Sequence, residues 1–346
     1  MTDETNINVL WLKPSTGENV SLRRERIAEH LEERGVHVNL MNTSGLDALP
    51  VVREAITGDY DIIVGTVRVG LEIGFFLSKL LRKPFIGSVS DPLERQKDDV
   101  PYPVYRLMCF LEWWVLRRSD DVFFVHPESK EDADERGIEG HLSMNSVNYE
   151  MFANPEEDVV KRAKSELEGT GIDLQKDIGI YIGGMVEDAH LEQIVQAAEL
   201  TDTWEFVFVG KEWGAGISNL VSGVDNAYFL GEYDHELMPG FLHHSSAAFC
   251  LVDNQIPLKV TEYGAAGLPT LGYPGKLKEV FSEDELIYVE PDPDEISKAL
   301  RRISSDPEYA HKYAENLRDY ASENRWEDVA EEYYESIREL TEGCQS

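Results

Sequence analysis

The sequence predicts an α/β protein of two domains, each a parallel sheet with helices packed on it. Three observations predict this. Short apolar runs alternate with helical patterns from end to end, which implies parallel strands joined by right-handed crossovers. The chain has 346 residues, enough for two domains of ordinary size. The series of strands breaks at a polar, proline-bearing stretch, Phe152-Ala153-Asn154-Pro155-Glu156-Glu157-Asp158, and then restarts.

Asn6 to Leu12 reads as a strand and Leu22 to Arg34 as an exposed, charge-rich helix. Val36 to Met41 and Tyr60 to Thr66 are strands. Gly70 to Leu81 is a largely buried helix, followed by a strand at Phe85 to Ser90. Tyr102 to Arg118 is helical, Asp121 to His126 a strand, and His141 to Asn145 a short one. The pattern restarts with strand Ile178 to Gly183, helix Leu191 to Leu200 and strand Phe206 to Gly210. Later strands are Ala227 to Gly231, Ala247 to Val252, Thr270 to Tyr273 and Ile287 to Val289. Pro307 to Leu340 is helical, with a break at Ser322-Glu323-Asn324. The expected division is 1–154, 155–325 and a closing helix, 326–346. No repeat and no low-complexity linker is evident.

Composition narrows the function classes. Acids number 66 against 32 bases, for a formal net charge of −34. They are spread along the chain, which argues for an acidic folded surface rather than a disordered tail. Such a surface repels itself unless salt screens it, so the expectation is a protein adapted to a salty cytoplasm. Nucleic acid is not an expected partner, because phosphate contacts need clustered bases. Cys109, Cys250 and Cys344 lack metal-ligand spacing. The first two sit in apolar runs and read as buried thiols in a reducing compartment. The acidic start Met1-Thr2-Asp3-Glu4-Thr5 does not suit a signal peptide. No apolar run reaches the length of about 20 residues that spans a bilayer. The expected location is cytoplasmic.

The most informative segment is Pro257-Leu258-Lys259-Val260-Thr261-Glu262-Tyr263-Gly264-Ala265-Ala266-Gly267-Leu268-Pro269. It follows the apolar run Ala247 to Val252 and the loop Asp253 to Ile256. Pro257 suits a first helical turn, Gly267 the left-handed position past a helix end, and Pro269 blocks continuation. A strand therefore feeds a short helix carrying one acid, Glu262. In parallel sheets, ligands bind beyond the carboxyl ends of strands, at such loops and helix starts.

This segment resembles the donor-site motif of family 4 glycosyltransferases, enzymes of the GT-B fold that transfer a sugar from a nucleotide-sugar with retention of configuration. Other pieces are similar to the family in the same order. Ser143-Met144-Asn145-Ser146-Val147-Asn148 followed by Phe152 looks like the stretch that ends its first domain. Tyr228-Phe229-Leu230-Gly231, His235-Glu236-Leu237 and Phe241-Leu242 look like its Phe-Leu-Gly strand and the helix after it. Trp326-Glu327 with Ala330, Tyr333 and Tyr334 is similar to its closing helix, which crosses back to the first domain.

The resemblance implies two Rossmann-like domains facing across a cleft, the first holding the acceptor and the second the donor. It implies that Glu262 bonds the ribose hydroxyls. The family has a second Glu eight residues earlier, near the transferred sugar. Asn254 stands there and can bond a hydroxyl without carrying charge. The family also has an Arg and a Lys after the strand Ile178 to Gly183, both on the donor's phosphates; Gly184 and Ala189 replace them. Gly183 and Gly184 would let backbone N–H groups approach a phosphate. The bases expected to meet the diphosphate are then Lys211 and Lys259, with Pro257 and Leu258 at the helix start. On the acceptor side, Asp91 remains of the family's His-Asp pair, Ser90 replacing the His. The loop Ser15-Thr16-Gly17 is expected to wrap the transferred phosphate or sugar.

Asp91, Asn254 and Lys259 are thus the expected catalytic residues. Neither a metal nor a bound cofactor is expected; Asp292-Pro293-Asp294 reads as a helix cap. Two other functions stay open: a nucleotide-sugar epimerase of the same fold, for which His126, His190, His235, His243 and His244 offer acid/base groups, and a non-catalytic nucleotide-sugar-binding homologue. The expected partners are a nucleotide-sugar and a glycan or lipid-linked acceptor. Val104 to Leu116, rich in Leu and Trp and followed by Arg117-Arg118, reads as a core helix; a helix lying in the membrane interface is the second reading.

Overall fold

The computed structural model describes residues 7–13, 18–43, 48–67, 69–90, 97, 100–214 and 216–343, side chains of 18–21 and 48 aside. The chain divides into two compact units, Met1–Asn145 with Trp326–Ser346, and Ser146–Arg325.

The first unit runs β1 (Ile7–Lys13), α1 (Glu18–Glu32), β2 (Val36–Asn42), α2 (Ala48–Thr57), β3 (Ile62–Thr66), α3 (Val69–Leu81), β4 (Phe85–Val89), α4 (Tyr102–Leu116), β5 (Asp121–Phe124), α5 (Pro127–Glu135) and β6 (His141–Leu142). Among the described residues its strands form one parallel sheet of six, in the order β2-β1-β3-β4-β5-β6. β3 and β4 are buried along their whole length, as expected of strands covered on both faces.

The second unit runs α6 (Tyr149–Ala153), α7 (Glu157–Gly169), β7 (Asp177–Ile182), α8 (Leu191–Glu199), β8 (Trp204–Val209), α9 (Ile217–Leu220), β9 (Ala227–Gly231), α10 (Met238–His243), β10 (Ala247–Cys250), α11 (Leu258–Ala265), β11 (Thr270–Gly272), β12 (Ile287–Tyr288), α12 (Pro293–Ser305) and α13 (Pro307–Glu323). Its described strands form a second parallel sheet of six, β12-β11-β10-β7-β8-β9. One core cluster, with Ile180, Val207, Phe241 and Tyr263, and another, with Tyr181, Phe206, Phe208 and Phe249, are built from alternate residues of the same strands and so cover the two faces of the sheet. α14 (Trp326–Gly343) belongs to the first unit, where Tyr333 stacks between Trp11 and Phe123.

Three readings of the sequence are corrected. The division falls after Asn145, not after residue 154. Val147 N–H donates to Asn324 O at 3.1 Å, Asn148 caps α6, and Phe152 is buried in the second unit's core. The apolar anchor decides which unit owns the stretch, and the polar residues follow it. Cys109 is half-buried rather than buried, while Cys250 is buried as expected. α4 is not a core helix all round: Tyr102, Val104, Leu107 and Phe110 are exposed. The α2, α5 and α7 helices are not foreseen. α5 is nearly all polar and buries only Ser129 and Ala133, so it shows no apolar stripe.

Candidate functional site

The site is built at the carboxyl ends of the second unit's strands, where loops and helix starts converge. Pro257 precedes α11 in extended conformation, and no side chain caps that helix end. Val260 N–H donates to Pro257 O at 3.1 Å, and the N–H groups of Leu258 and Lys259 are positioned to meet an acceptor from outside the helix. α11 is fixed along its length. A Cβ on Gly264 would stand 2.5 Å from Leu317 O, so only glycine lets α11 and α13 approach this closely. The Tyr263 hydroxyl accepts from Ile182 N–H at 2.8 Å and ties the helix to the end of β7.

Lys259 and Gly183 come together here. A Cβ on Gly183 would lie 2.7 Å from Lys259 Nζ. The ammonium stands 3.8 Å from the Tyr181 ring centroid, a cation–π contact. Tyr181 OH donates to Gly184 O at 2.9 Å and shapes the turn after β7. Burial opposes the Lys259 charge, but Tyr181, Cys250 and Glu262 outweigh it, and the pKa stands above the usual lysine value. Lys259 is a cation at neutral pH. Gly183 and Gly210 both have φ of +139°, and a Cβ on Gly210 would fall 2.0 Å from Gly183 O. The ends of β7 and β8 thus approach backbone to backbone, which glycine alone permits.

Glu262 is 5% exposed. Its Oε1 lies 2.7 Å from His235 Nε2. A carboxylate only accepts, so the proton of this hydrogen bond is on Nε2. Oε2 makes no hydrogen bond among the described residues. His235 opens the 3-10 turn His235–Leu237 after β9, and Phe152 meets its ring edge to face at 5.6 Å.

The structure therefore brings Gly183, Lys259 and the start of α11 at Pro257 and Leu258 together, with Glu262 one turn further along the helix. Lys211 departs from its expected surroundings: its side chain is exposed and its ammonium sits 5.3 Å from the ring centroid of Trp213, itself 58% exposed. Only its backbone joins the turn, Met185 N–H donating to Lys211 O. Asn254 is half-buried and accepts from Ile256 N–H at 3.4 Å. Ala189, where a phosphate-binding Lys was looked for, is buried in the core. Asp292 caps α12, accepting from Asp294 and Glu295 N–H at 3.1 Å. Asp91, Ser15, Thr16 and Gly17 lie outside the described residues. Among the described residues, no three His, Cys, Asp or Glu side chains converge as a metal site would.

Sequence reasoning missed the pairing of His235 with Glu262. Both were singled out, one as part of a helix start and the other as a ribose ligand, but 27 residues separate them and no periodicity links a turn after one strand to a helix after the next. It also missed Tyr181 beneath Lys259, whose position inside a buried strand reads as packing alone.

Residues 189–335 match the family model for glycosyl transferase-like domains. A search of curated proteins finds no significant match. Solved structures match over nearly the whole chain. Sucrose-phosphate synthase from Thermosynechococcus elongatus is 17% identical, with a TM-score of 0.76 over 97% of this chain and 100% of that one. HepE of Anabaena, solved in complex with UDP-glucose, is 14% identical, with a TM-score of 0.75 over 96% and 100%. A glycosyltransferase from Rickettsia africae is 13% identical, with a TM-score of 0.72 over 97% and 99%. The chain has the GT-B fold of these proteins, and the glycosyl transferase-like match spans most of the second unit and the start of α14.

Proposed function

We propose that this GT-B chain is a retaining glycosyltransferase of family 4 type, moving a sugar from a nucleotide-diphosphate sugar to a glycan or lipid-linked acceptor. One observation carries the reading. Inside the glycosyltransferase-like region, a buried carboxylate and a half-buried ammonium sit one turn apart on a helix whose uncapped start follows a sheet's carboxyl edge. Glu262 takes the ribose hydroxyls. The Lys259 ammonium and the N–H groups of Leu258 and Lys259 receive the diphosphate as negative charge gathers on it in the transition state. Gly183 and Gly184 let the phosphates approach the backbone. Asn254 bonds a hydroxyl of the transferred sugar. Lys211, exposed over Trp213, meets the diphosphate only as a solvated surface charge. The acceptor hydroxyl attacks from the face the diphosphate leaves, with the departing phosphate as its base.

No bound cofactor enters this scheme; the nucleotide-sugar is a co-substrate. Asp91 and the Ser15-Thr16-Gly17 loop keep their expected acceptor-side roles, and the donor reading does not rest on them. HepE was solved with UDP-glucose, which makes UDP-sugars the first donors to test.

The acceptor side offers a surface suited to a cytoplasmic membrane face. No helix of the described residues is long and apolar enough to cross a membrane. α3 exposes Val69, Phe76 and Leu80, and α4 exposes Tyr102, Val104, Leu107 and Phe110; Phe76 stacks on Trp114 and joins the two helices. In a chain of net charge −34, α3 and α4 hold one acid each, Glu72 and Glu112. Lys79, Arg82, Lys83, Arg106, Arg117 and Arg118 lie on or just beyond them, as do Asp120, 3.5 Å from Lys79, and Asp121. Apolar side chains beside bases suit an interface with anionic lipid, and a lipid-linked acceptor would be met there.

The test is turnover. Purified protein is incubated with UDP-, GDP- and ADP-sugars, with and without a lipid extract, and nucleoside diphosphate release is measured. Release from one donor, lost in Lys259→Met, is expected. A protein that binds these nucleotides and releases none from any donor is the non-catalytic homologue, and the transferase reading falls.

A further inference from the structure

We propose that His235 is a positioning residue for the ribose contact: it orients the Glu262 carboxylate toward the ribose diol, and so sets a preference for ribonucleotide over 2′-deoxyribonucleotide donors. This rests on the donor reading above and adds a residue to it.

The argument begins with what fixes Glu262. Its backbone is held, because α11 is pinned by Gly264 against Leu317 and by Tyr263 on Ile182. Its side chain is long and has three torsions, so a held backbone does not by itself aim the carboxylate. The hydrogen bond from His235 Nε2 at 2.7 Å does aim it. That bond engages Oε1 and leaves Oε2 without a hydrogen-bond partner among the described residues. A carboxylate has about four lone-pair sites, so capacity for two hydroxyl donors remains.

His235 is itself held. Phe152, buried in the second unit's core, packs against the imidazole edge to face at 5.6 Å and 64°. The 3-10 turn that begins at His235 follows Asp234 in extended conformation, which sets the direction in which the ring leaves the backbone. The chain of support therefore runs from the core through Phe152 and His235 to Glu262 Oε1. A carboxylate turned away from the diol would leave two hydroxyls unpaired, and a site built to bond a hydroxyl rejects the analogue that lacks it.

Calorimetric titration tests this with UDP, GDP and ADP, each against its 2′-deoxy form. For the wild-type protein, at least one ribonucleotide is expected to bind about tenfold tighter than its deoxy form, the effect of a hydrogen bond to a charged group. His235→Ala is expected to shrink that ratio to about twofold or less, the ribonucleotide losing more affinity than the deoxy form, which has one hydroxyl fewer to lose. His235→Gln should restore it, because the Gln Nε2–H reaches about as far as the imidazole Nε2. Should His235→Ala not fold, His235→Asn, too short to reach Oε1, is expected to lose the ratio in its place. A ratio kept in His235→Ala or His235→Asn but lost in Glu262→Ala overturns the role of His235 and leaves the donor reading standing. A wild type that binds none of the three, or a ratio untouched by Glu262→Ala, overturns the donor reading and this inference with it.

Discussion

His235 Nε2, in the turn after β9, and Glu262 Oε1, on α11, stand 2.7 Å apart. The pair joins a buried carboxylate to a half-buried imidazole and leaves one carboxylate oxygen for a ligand. Glu262→Ala removes the proposed ribose contact and the acceptor of the His235 Nε2 hydrogen bond. Nucleoside diphosphate affinity is expected to fall by about tenfold or more. The melting temperature should also fall, because the His235 Nε2–H loses its carboxylate acceptor. Titration and thermal melting of the same preparation check the two effects separately. Unchanged nucleotide affinity would remove Glu262 from the site.

Lys259 gives a second expectation. Lys259→Met keeps most of the side chain's length and removes its charge. Affinity for UDP is expected to drop about tenfold or more, while affinity for uridine stays level, since in the proposed site only the diphosphate meets the ammonium. The pH dependence has a definite sign. The Lys259 pKa is raised in the folded protein, with burial opposing and Tyr181, Cys250 and Glu262 supporting the charge. Its contribution is therefore complete below the ordinary lysine pKa and is lost only as pH rises through the raised value. UDP binding should hold level from neutrality through pH 9, and loss of the Lys259-dependent part below pH 9 would contradict this.

The glycine turn offers a test free of charge effects. Gly183→Ala places a methyl 2.7 Å from Lys259 Nζ at a residue with φ of +139°. It is expected to cost about 1–3 kcal/mol of stability and to displace the ammonium. Gly210→Ala meets backbone, 2.0 Å from Gly183 O, and should cost more because a carbonyl cannot swing aside as a lysine can. Denaturant unfolding of the two variants gives the order, and equal stability of Gly210→Ala and wild type would show that the two turns do not approach so closely.

The surface charge of −34 predicts salt dependence. The melting temperature should rise as KCl goes from about 0.1 M to 1 M, where the Debye length shrinks from about 10 Å to about 3 Å. A flat profile would argue against adaptation to high salt. The same acidity makes the α3–α4 face distinctive. Flotation with anionic vesicles is expected for the wild type and should be lost in Phe110→Glu with Leu107→Glu, both exposed positions whose replacement leaves the core intact. Equal flotation of the double variant would place membrane contact elsewhere or nowhere.

Cys250 supplies a check on the buried side of the same sheet. Burial pushes its thiol up to about 11. At pH 8 about a thousandth is thiolate, so iodoacetamide should leave Cys250 unmodified in the native protein and label it after denaturation, as read by peptide mass spectrometry. Rapid native labelling would mean that β10 opens.

Much of the fold was legible because burial leaves a local trace. β3, β4, β8 and β10 are short apolar runs in the sequence and fully buried strands in the structure. The helix at α11 announces itself through Pro257, Gly267 and Pro269, each acting on its own backbone. α5 was not legible, since a helix that buries only Ser129 and Ala133 has no stripe to read. The unit boundary was misplaced for a related reason. Polarity and proline mark where a chain is exposed, whereas Phe152 shows where it is anchored.

By itself the sequence determined the alternation of strands and helices, the acidic surface and the presence of Glu262 and Lys259 on one short helix at a strand's end. These depend on residue type and on spacing within a single element. Only the tertiary structure decided that Lys259 lies against Gly183 and Tyr181, that Lys211 turns out over Trp213, and that His235 meets Glu262. The reason is physical. The Lys259 and His235 contacts join separate elements of the second unit, and the distance between separate elements is set by sheet order and helix packing, which no local pattern of side chains encodes; Lys211 and Trp213 share one loop, but that loop is held by the bond from Met185 N–H to Lys211 O.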